Sequence, residues 1–166
     1  MRFFPSTLCQ VLLGGALLAA GCGDPSPEAA KKRLAEKNLP VDASTLMAKT
    51  KEGKAGEKDA KLLAVAGADP NARQANGMTA LMSAAFNGQL DAAEALIQRG
   101  ADVNATASGF TALRLAVERG DKPIVRLLLK HGAKPNLKPD GAPSALEKAQ
   151  QLKDPEIAEL LAKVAS

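Results

Sequence analysis

The amino-acid sequence predicts an all-α protein: a solenoid of stacked helix–turn–helix units joined by short β-hairpin-like connections. Three observations carry this reading. Of 166 residues, 33 are Ala and 23 are Leu, while Trp and Tyr are absent and only four Phe occur. Ala and Leu lose little on entering a helix, whereas a sheet would want β-branched and aromatic residues. Fourteen Gly and ten Pro interrupt the chain so often that the helices must be short. Finally, one stretch of sequence recurs in register at a spacing of 32 to 33 residues, the mark of a repeat architecture.

The same composition removes several function classes. Two Cys exclude a disulfide framework and a multi-thiolate metal site. A single His leaves little room for histidine-based catalysis. With so few rings there is no aromatic platform for stacked bases. The sequence pI is about 9.1, yet acids are interspersed among the bases, and the dense basic stripe of a nucleic-acid binder is missing. No nucleic acid is expected as a partner.

The chain opens Met1-Arg2-Phe3-Phe4-Pro5, runs through the apolar Val11–Ala20, and breaks at Gly21-Cys22-Gly23-Asp24. A positive end, a short apolar run and small residues form a secretory signal. The run falls short of the ~20 apolar residues that span a bilayer. Leu18-Ala19-Ala20-Gly21-Cys22 resembles the lipobox of bacterial lipoproteins, in which a peptidase cuts before the Cys and that residue receives the lipid. It departs in one place: Ala19 stands where the family has Leu. Ordinary cleavage after a small residue is the alternative. The resemblance implies that residues 1–21 are removed and that Cys22 is lipidated. Loss of Arg2 then leaves 21 basic against 18 acidic residues, a side-chain balance of +3. It also implies a periplasm-facing place in the cell envelope. Gly23, not Asp, follows the Cys, which by the same resemblance favours the outer membrane over the inner.

Residues 22–40 read as a flexible tether with a short basic helix. Asp24-Pro25-Ser26-Pro27-Glu28 has no hydrophobic period. Ala29 to Asn38 carries Lys31, Lys32, Arg33 and Lys37, diluted by Glu36; this is either a solvated helix face or a contact for anionic head groups.

The repeat follows, over residues 41–166. Gly77-Met78-Thr79-Ala80-Leu81-Met82-Ser83-Ala84-Ala85-Phe86-Asn87-Gly88 aligns with Gly109-Phe110-Thr111-Ala112-Leu113-Arg114-Leu115-Ala116-Val117-Glu118-Arg119-Gly120. Ala95–Asn104 continues in register with Leu127–Asn136, and Leu62–Asn71 stands one period earlier. The pattern resembles the ankyrin repeat: Gly-x-Thr-Pro-Leu-His-x-Ala-Ala, a Gly between helices, Leu-Leu, then Gly-Ala-Asp-x-Asn. Ala80 and Ala112 replace the family's Pro, and Met82 and Arg114 replace its His. The missing His implies a stack less tightly bonded between units, with the same ankyrin-repeat fold.

Elementary chemistry justifies each element of four units, at about 41–73, 74–106, 107–138 and 139–164. Leu81, Ala84 and Ala85 fall three to four apart and give the first helix a small apolar face. Gly88 and Gly120 stop it. Asp121 with Pro123, and Asp154 with Pro155, restart the next helix as cap and early-turn proline. Leu96-Ile97 and Leu127-Leu128-Leu129 supply the second helix's buried side. Gly100 and Gly132 suit a left-handed helix end. Asp69-Pro70-Asn71 and Asp102-Val103-Asn104 recur as turn chemistry, not as calcium ligands. The first unit matches least well in its first helix. The charged residues of 42–61 and the polar end of the last unit suit the two ends of a stack, whose inner units bury one another.

No residue set carries recognisable catalytic chemistry, and neither a metal site nor a cofactor is expected. His131, at a helix end before Gly132, reads as a helix-end cation or a partner contact. What remains is surface. The family resemblance implies docking on hairpin tips and exposed sides of the first helices. Mapped on this chain, these are Asn76, Met78, Phe86 and Asn87 in the second unit and Ser108, Phe110, Glu118 and Arg119 in the third, with Arg99, His131 and Asp140 on the same face. Aromatics, Met and Arg are frequent interface anchors; Met78 and Phe110 equally suit packing on the neighbouring hairpin. The function expected is a non-enzymatic, monomeric module that binds or inhibits another envelope or secreted protein. A structural scaffold of an envelope complex stands second, and an enzyme last.

Overall fold

A computed structural model describes residues 25–165, which form nine α-helices and no strand. The signal segment and Cys22 lie outside the described residues. The helices are α1 (Pro27–Glu36), α2 (Ala43–Lys51), α3 (Glu57–Ala66), α4 (Ala80–Asn87), α5 (Leu90–Gln98), α6 (Ala112–Arg119), α7 (Lys122–Lys130), α8 (Ala145–Leu152) and α9 (Pro155–Ala165). They stand in two rows. The first row is α2, α4, α6 and α8, each packed on the next; the second is α1, α3, α5, α7 and α9. Four antiparallel pairs link the rows: α2 with α3, α4 with α5, α6 with α7, and α8 with α9.

Local sequence sets each boundary. Thr79 and Thr111 cap α4 and α6, their hydroxyls accepting from Met82 N–H (3.2 Å) and Arg114 N–H (3.1 Å). At the equivalent place Ser144 accepts from Glu147 N–H while the Glu147 carboxylate accepts from Ser144 N–H, a reciprocal capping box. Lys138 and that amide hold the Glu147 carboxyl below the usual range. Asp42 caps α2, and the Thr45 N–H bond holds its carboxyl low in the same way. The first-row helix of unit one is therefore a proper helix despite its weak sequence match. Gly88 and Gly120 end their helices in the left-handed region (φ 70° and 73°). Lys153 takes that conformation in the last unit (φ 56°), a site where a side chain costs about 1 kcal/mol relative to Gly.

Packing rests on small residues between the rows. Ala60, Ala64, Ala84, Ala85, Ala92, Ala93 and Ala116 are wholly excluded from solvent, alongside Leu63, Leu81, Leu96, Leu113 and Leu128. Each such Leu contributes about 2 kcal/mol by leaving water. Between α2 and α3 the chain makes a 3₁₀ turn at Gly53–Ala55 where the second and third units have a single left-handed Gly. There a methyl group on Gly56 would lie 2.1 Å from the Lys49 carbonyl oxygen, so only Gly fits.

Two findings go beyond the sequence reading. The basic helix of residues 22–40 does not stand free as part of a tether. Ala30 and Leu34, one turn apart, are fully buried against α3, so α1 is the first helix of the second row. And the Asp-x-Asn turns reach between units. The Asn71 side-chain N–H donates to Gly100 C=O (3.0 Å) and its Oδ1 accepts from Asp102 N–H (2.8 Å). Asn104 repeats both bonds to Gly132 C=O (3.0 Å) and Lys134 N–H (2.9 Å). Asn104→Ala should therefore cost about 2 kcal/mol in urea unfolding, two bonds at about 1 kcal/mol each. Asn136→Ala, at the exposed equivalent position, should stay within about 0.5 kcal/mol.

Candidate functional site

The first-row helices and the hairpins before them frame a groove of about 550 Å³. Its floor and walls combine Lys51 of α2, Ser83, Phe86 and Asn87 of α4, Leu115 and Glu118 of α6, and Gln74, Asn76, Met78 and Phe110 of the hairpins. The geometry follows from the repeat. Positions 78 and 110 are equivalent, as are 86 and 118, so stacking two units sets the four side chains in a row across the groove.

Six residues singled out from sequence meet there: Asn76, Met78, Phe86, Asn87, Phe110 and Glu118. They differ in freedom. Phe86 is 55 % exposed, the largest exposure of any big apolar residue among those described. Met78 and Phe110 are half-buried against the core. The Arg114 guanidinium lies 4.5 Å from the Phe110 ring centroid, donates to Gly109 C=O (2.6 Å) and pairs with Glu118 (3.2 Å). Arg114, standing where the family has His, thus ties hairpin to helix within its own unit. Met82, in the other such position, is buried core. Asn87 spends its side-chain N–H on Thr50 C=O (2.8 Å) and Ser83 C=O (2.9 Å), joining α4 to α2. Lys148 approaches Glu118 at 3.6 Å.

The other five singled-out residues do not line the groove. Arg119 donates to Phe86 C=O (3.2 Å) and sits over Gly88, where a methyl group would strike its Nε at 2.6 Å. Arg99 donates to Val65 C=O at the far ends of α5 and α3. Ser108 donates to Asn76 C=O (3.3 Å), and Asp140 accepts from Gly109 N–H (3.1 Å), so each hairpin tip is bonded to the next. His131 caps the end of α7 and is exposed.

Lys51, Gln74, Ser83 and Leu115 join the groove without having been singled out. Positions 83 and 115 were findable: they precede the solvent-facing 86 and 118 by three and share the same helix face. Ser108-Gly109 and Asp140-Gly141 are also readable in hindsight. Both residues of each pair have positive φ, and Ala107 pairs with Phe110 across the first, which is the two-residue hairpin turn that such dipeptides favour.

Chemically the groove offers apolar contact, amide hydrogen bonds, one amine and one already paired carboxylate. Its only hydroxyl, Ser83, has no His or unpaired carboxylate beside it among the lining residues. Among the described residues no three His, Cys, Asp or Glu are grouped to hold a metal ion, and no helix is long and apolar enough to cross a membrane. Phe86→Ala should leave the melting free energy within about 0.5 kcal/mol. Phe110→Ala should cost about 1–2 kcal/mol, through lost packing and the lost guanidinium contact. Equal losses in thermal melts of the two variants would contradict this division.

The family model described as ankyrin repeats, in three copies, matches residues 46–139. No curated protein matches the chain.

Proposed function

The chain belongs to the ankyrin repeat family, and from that premise we propose that it is a non-enzymatic module that captures another protein in its first-row groove while held in a bacterial envelope by lipid on Cys22. Ankyrin repeats are generally protein–protein interaction modules. The observation that carries the reading is Phe86. It stands half out of the groove wall, with Met78, Phe110 and Leu115 around it and no core position to fill. A large exposed ring bordered by polar side chains is the usual anchor of an interface, where burial on binding is worth several kcal/mol.

Photo-crosslinking from an unnatural phenylalanine analogue at position 86, in intact cells, should yield one dominant protein adduct. The same analogue at Lys130, on a second-row helix, should not. Identical adduct patterns from the two positions would remove the groove assignment.

The anchor is proposed from Leu18-Ala19-Ala20-Gly21-Cys22 and the apolar run before it. A single residue bearing acyl chains holds a protein at a bilayer because each buried CH₂ contributes about 0.8 kcal/mol. Cys22→Ser should move the protein into the soluble fraction after a wash at about 0.5 M salt, which screens charge but not acyl burial. Retention through that wash would refute lipid attachment.

A further inference from the structure

The chain's positive charge is not evenly placed. Between residues 25 and 66, nine Lys and Arg face six Asp and Glu; from 67 to the end, twelve face eleven. The excess sits in the first unit and in α1. Part of it gathers on the second-row side of the stack, away from the groove that holds Phe86. There a shallow depression of about 440 Å³ runs between α1 and α3. Arg33 of α1, Lys37 at its end, and Lys58 and Lys61 of α3 line it, against Glu36 and Asp91. Lys37 is paired with Asp59. Among the described residues Arg33 and Lys58 have no ion pair, and neither has Lys32 on the same helix. Burial of Ala30 and Leu34 fixes α1 on α3, so these cations are held on adjoining helices of one rigid surface.

Pro25 forms part of the rim of the same depression. Two residues, Gly23 and Asp24, separate it from Cys22, and the three Cα–Cα steps reach at most about 11 Å. That is little more than the Debye length of about 8 Å at physiological salt. A lipid on Cys22 would hold this face within electrostatic reach of head groups.

We infer that the α1–α3 face is a second membrane contact, docking by charge on an anionic lipid surface beside the anchor. The placement beside the anchor rests on the lipid reading; the affinity of the face for anionic lipid does not. Lys and Arg near such a surface each strengthen binding by about fivefold, so the face orients the stack and leaves the Phe86 groove turned toward other proteins.

The test uses residues 22–166 with Cys22→Ser, which retain every residue of the fold and carry no lipid. This protein should float with vesicles of one part phosphatidylglycerol to two of phosphatidylcholine in low salt, and not with pure phosphatidylcholine. Added salt at about 0.5 M should release it. Arg33→Glu with Lys58→Glu should weaken flotation by about thirtyfold or more, while Lys130→Glu with Lys134→Glu, in the third unit, should weaken it by less than about threefold. Circular dichroism of each variant reports that it folds. Equal flotation on neutral vesicles, equal loss from both double variants, or retention on an acidic polypeptide column without flotation overturns the inference; the last outcome would assign the face to an acidic protein. Because the protein tested lacks the lipid, its failure to float leaves the Cys22 anchor standing, and failure of the anchor leaves this result standing.

Discussion

Close approach of helices that cannot enclose a core alone is the constraint on which this molecule depends. Helices of eight to eleven residues are too short to be stable in water by themselves, and two of them bury little. Ala at the contact positions lets the next unit's backbone come near enough to complete the packing. Ala84, Ala85 and Ala116 in the first row and Ala60, Ala64, Ala92 and Ala93 in the second are all wholly buried. Larger side chains there would push units apart, at about 1–3 kcal/mol for each misfit. The composition that reads as mere helix preference is thus a spacing device. The absence of Trp and Tyr belongs to the same logic, since interleaved rows this close have little room for large rings.

Two surfaces follow from two rows. The first row and its hairpins present the groove with Phe86, and the second row presents the cations of α1 and α3. The groove is uncharged apart from Lys51 and Glu118, and Glu118 is already shared between Arg114 and Lys148. Recognition there must come from apolar fit and amide bonds. The second-row face has the opposite balance. A stack of two rows keeps such surfaces apart without linkers or a second domain, and α1 gives the basic face its extra area.

Much of the fold was legible because its signals are local. Thr79 and Thr111 before apolar residues announce caps, Gly88 and Gly120 announce helix ends, and Asp121 and Asp154 announce helix starts, as the hydrogen bonds of each confirm. What the sequence could not show is where a side chain's hydrogen bonds go when the partner lies some thirty residues away. Arg119, Ser108 and Asp140 look like free surface in a linear reading. Each spends its polar atoms on the neighbouring unit. The site was therefore only half visible: the apolar and half-buried members could be placed from the repeat, while lateral bonding claimed several of the polar ones. The docked α1 was missed for a related reason. Residues 29–38 carry four cations, and the two-residue stripe of Ala30 and Leu34 is too short to register as a pattern.

The Asn71 and Asn104 carboxamides both reach toward the following unit and never toward the preceding one. That polarity gives the stack a direction in time as well as in space. A chain emerging from its amino end produces each turn with its carboxamide still bonded to water, and the turn is completed only when the next loop arrives above it. Order is thus handed backward: each newly arrived loop closes the turn made before it, so at any moment the newest turn is the one still open.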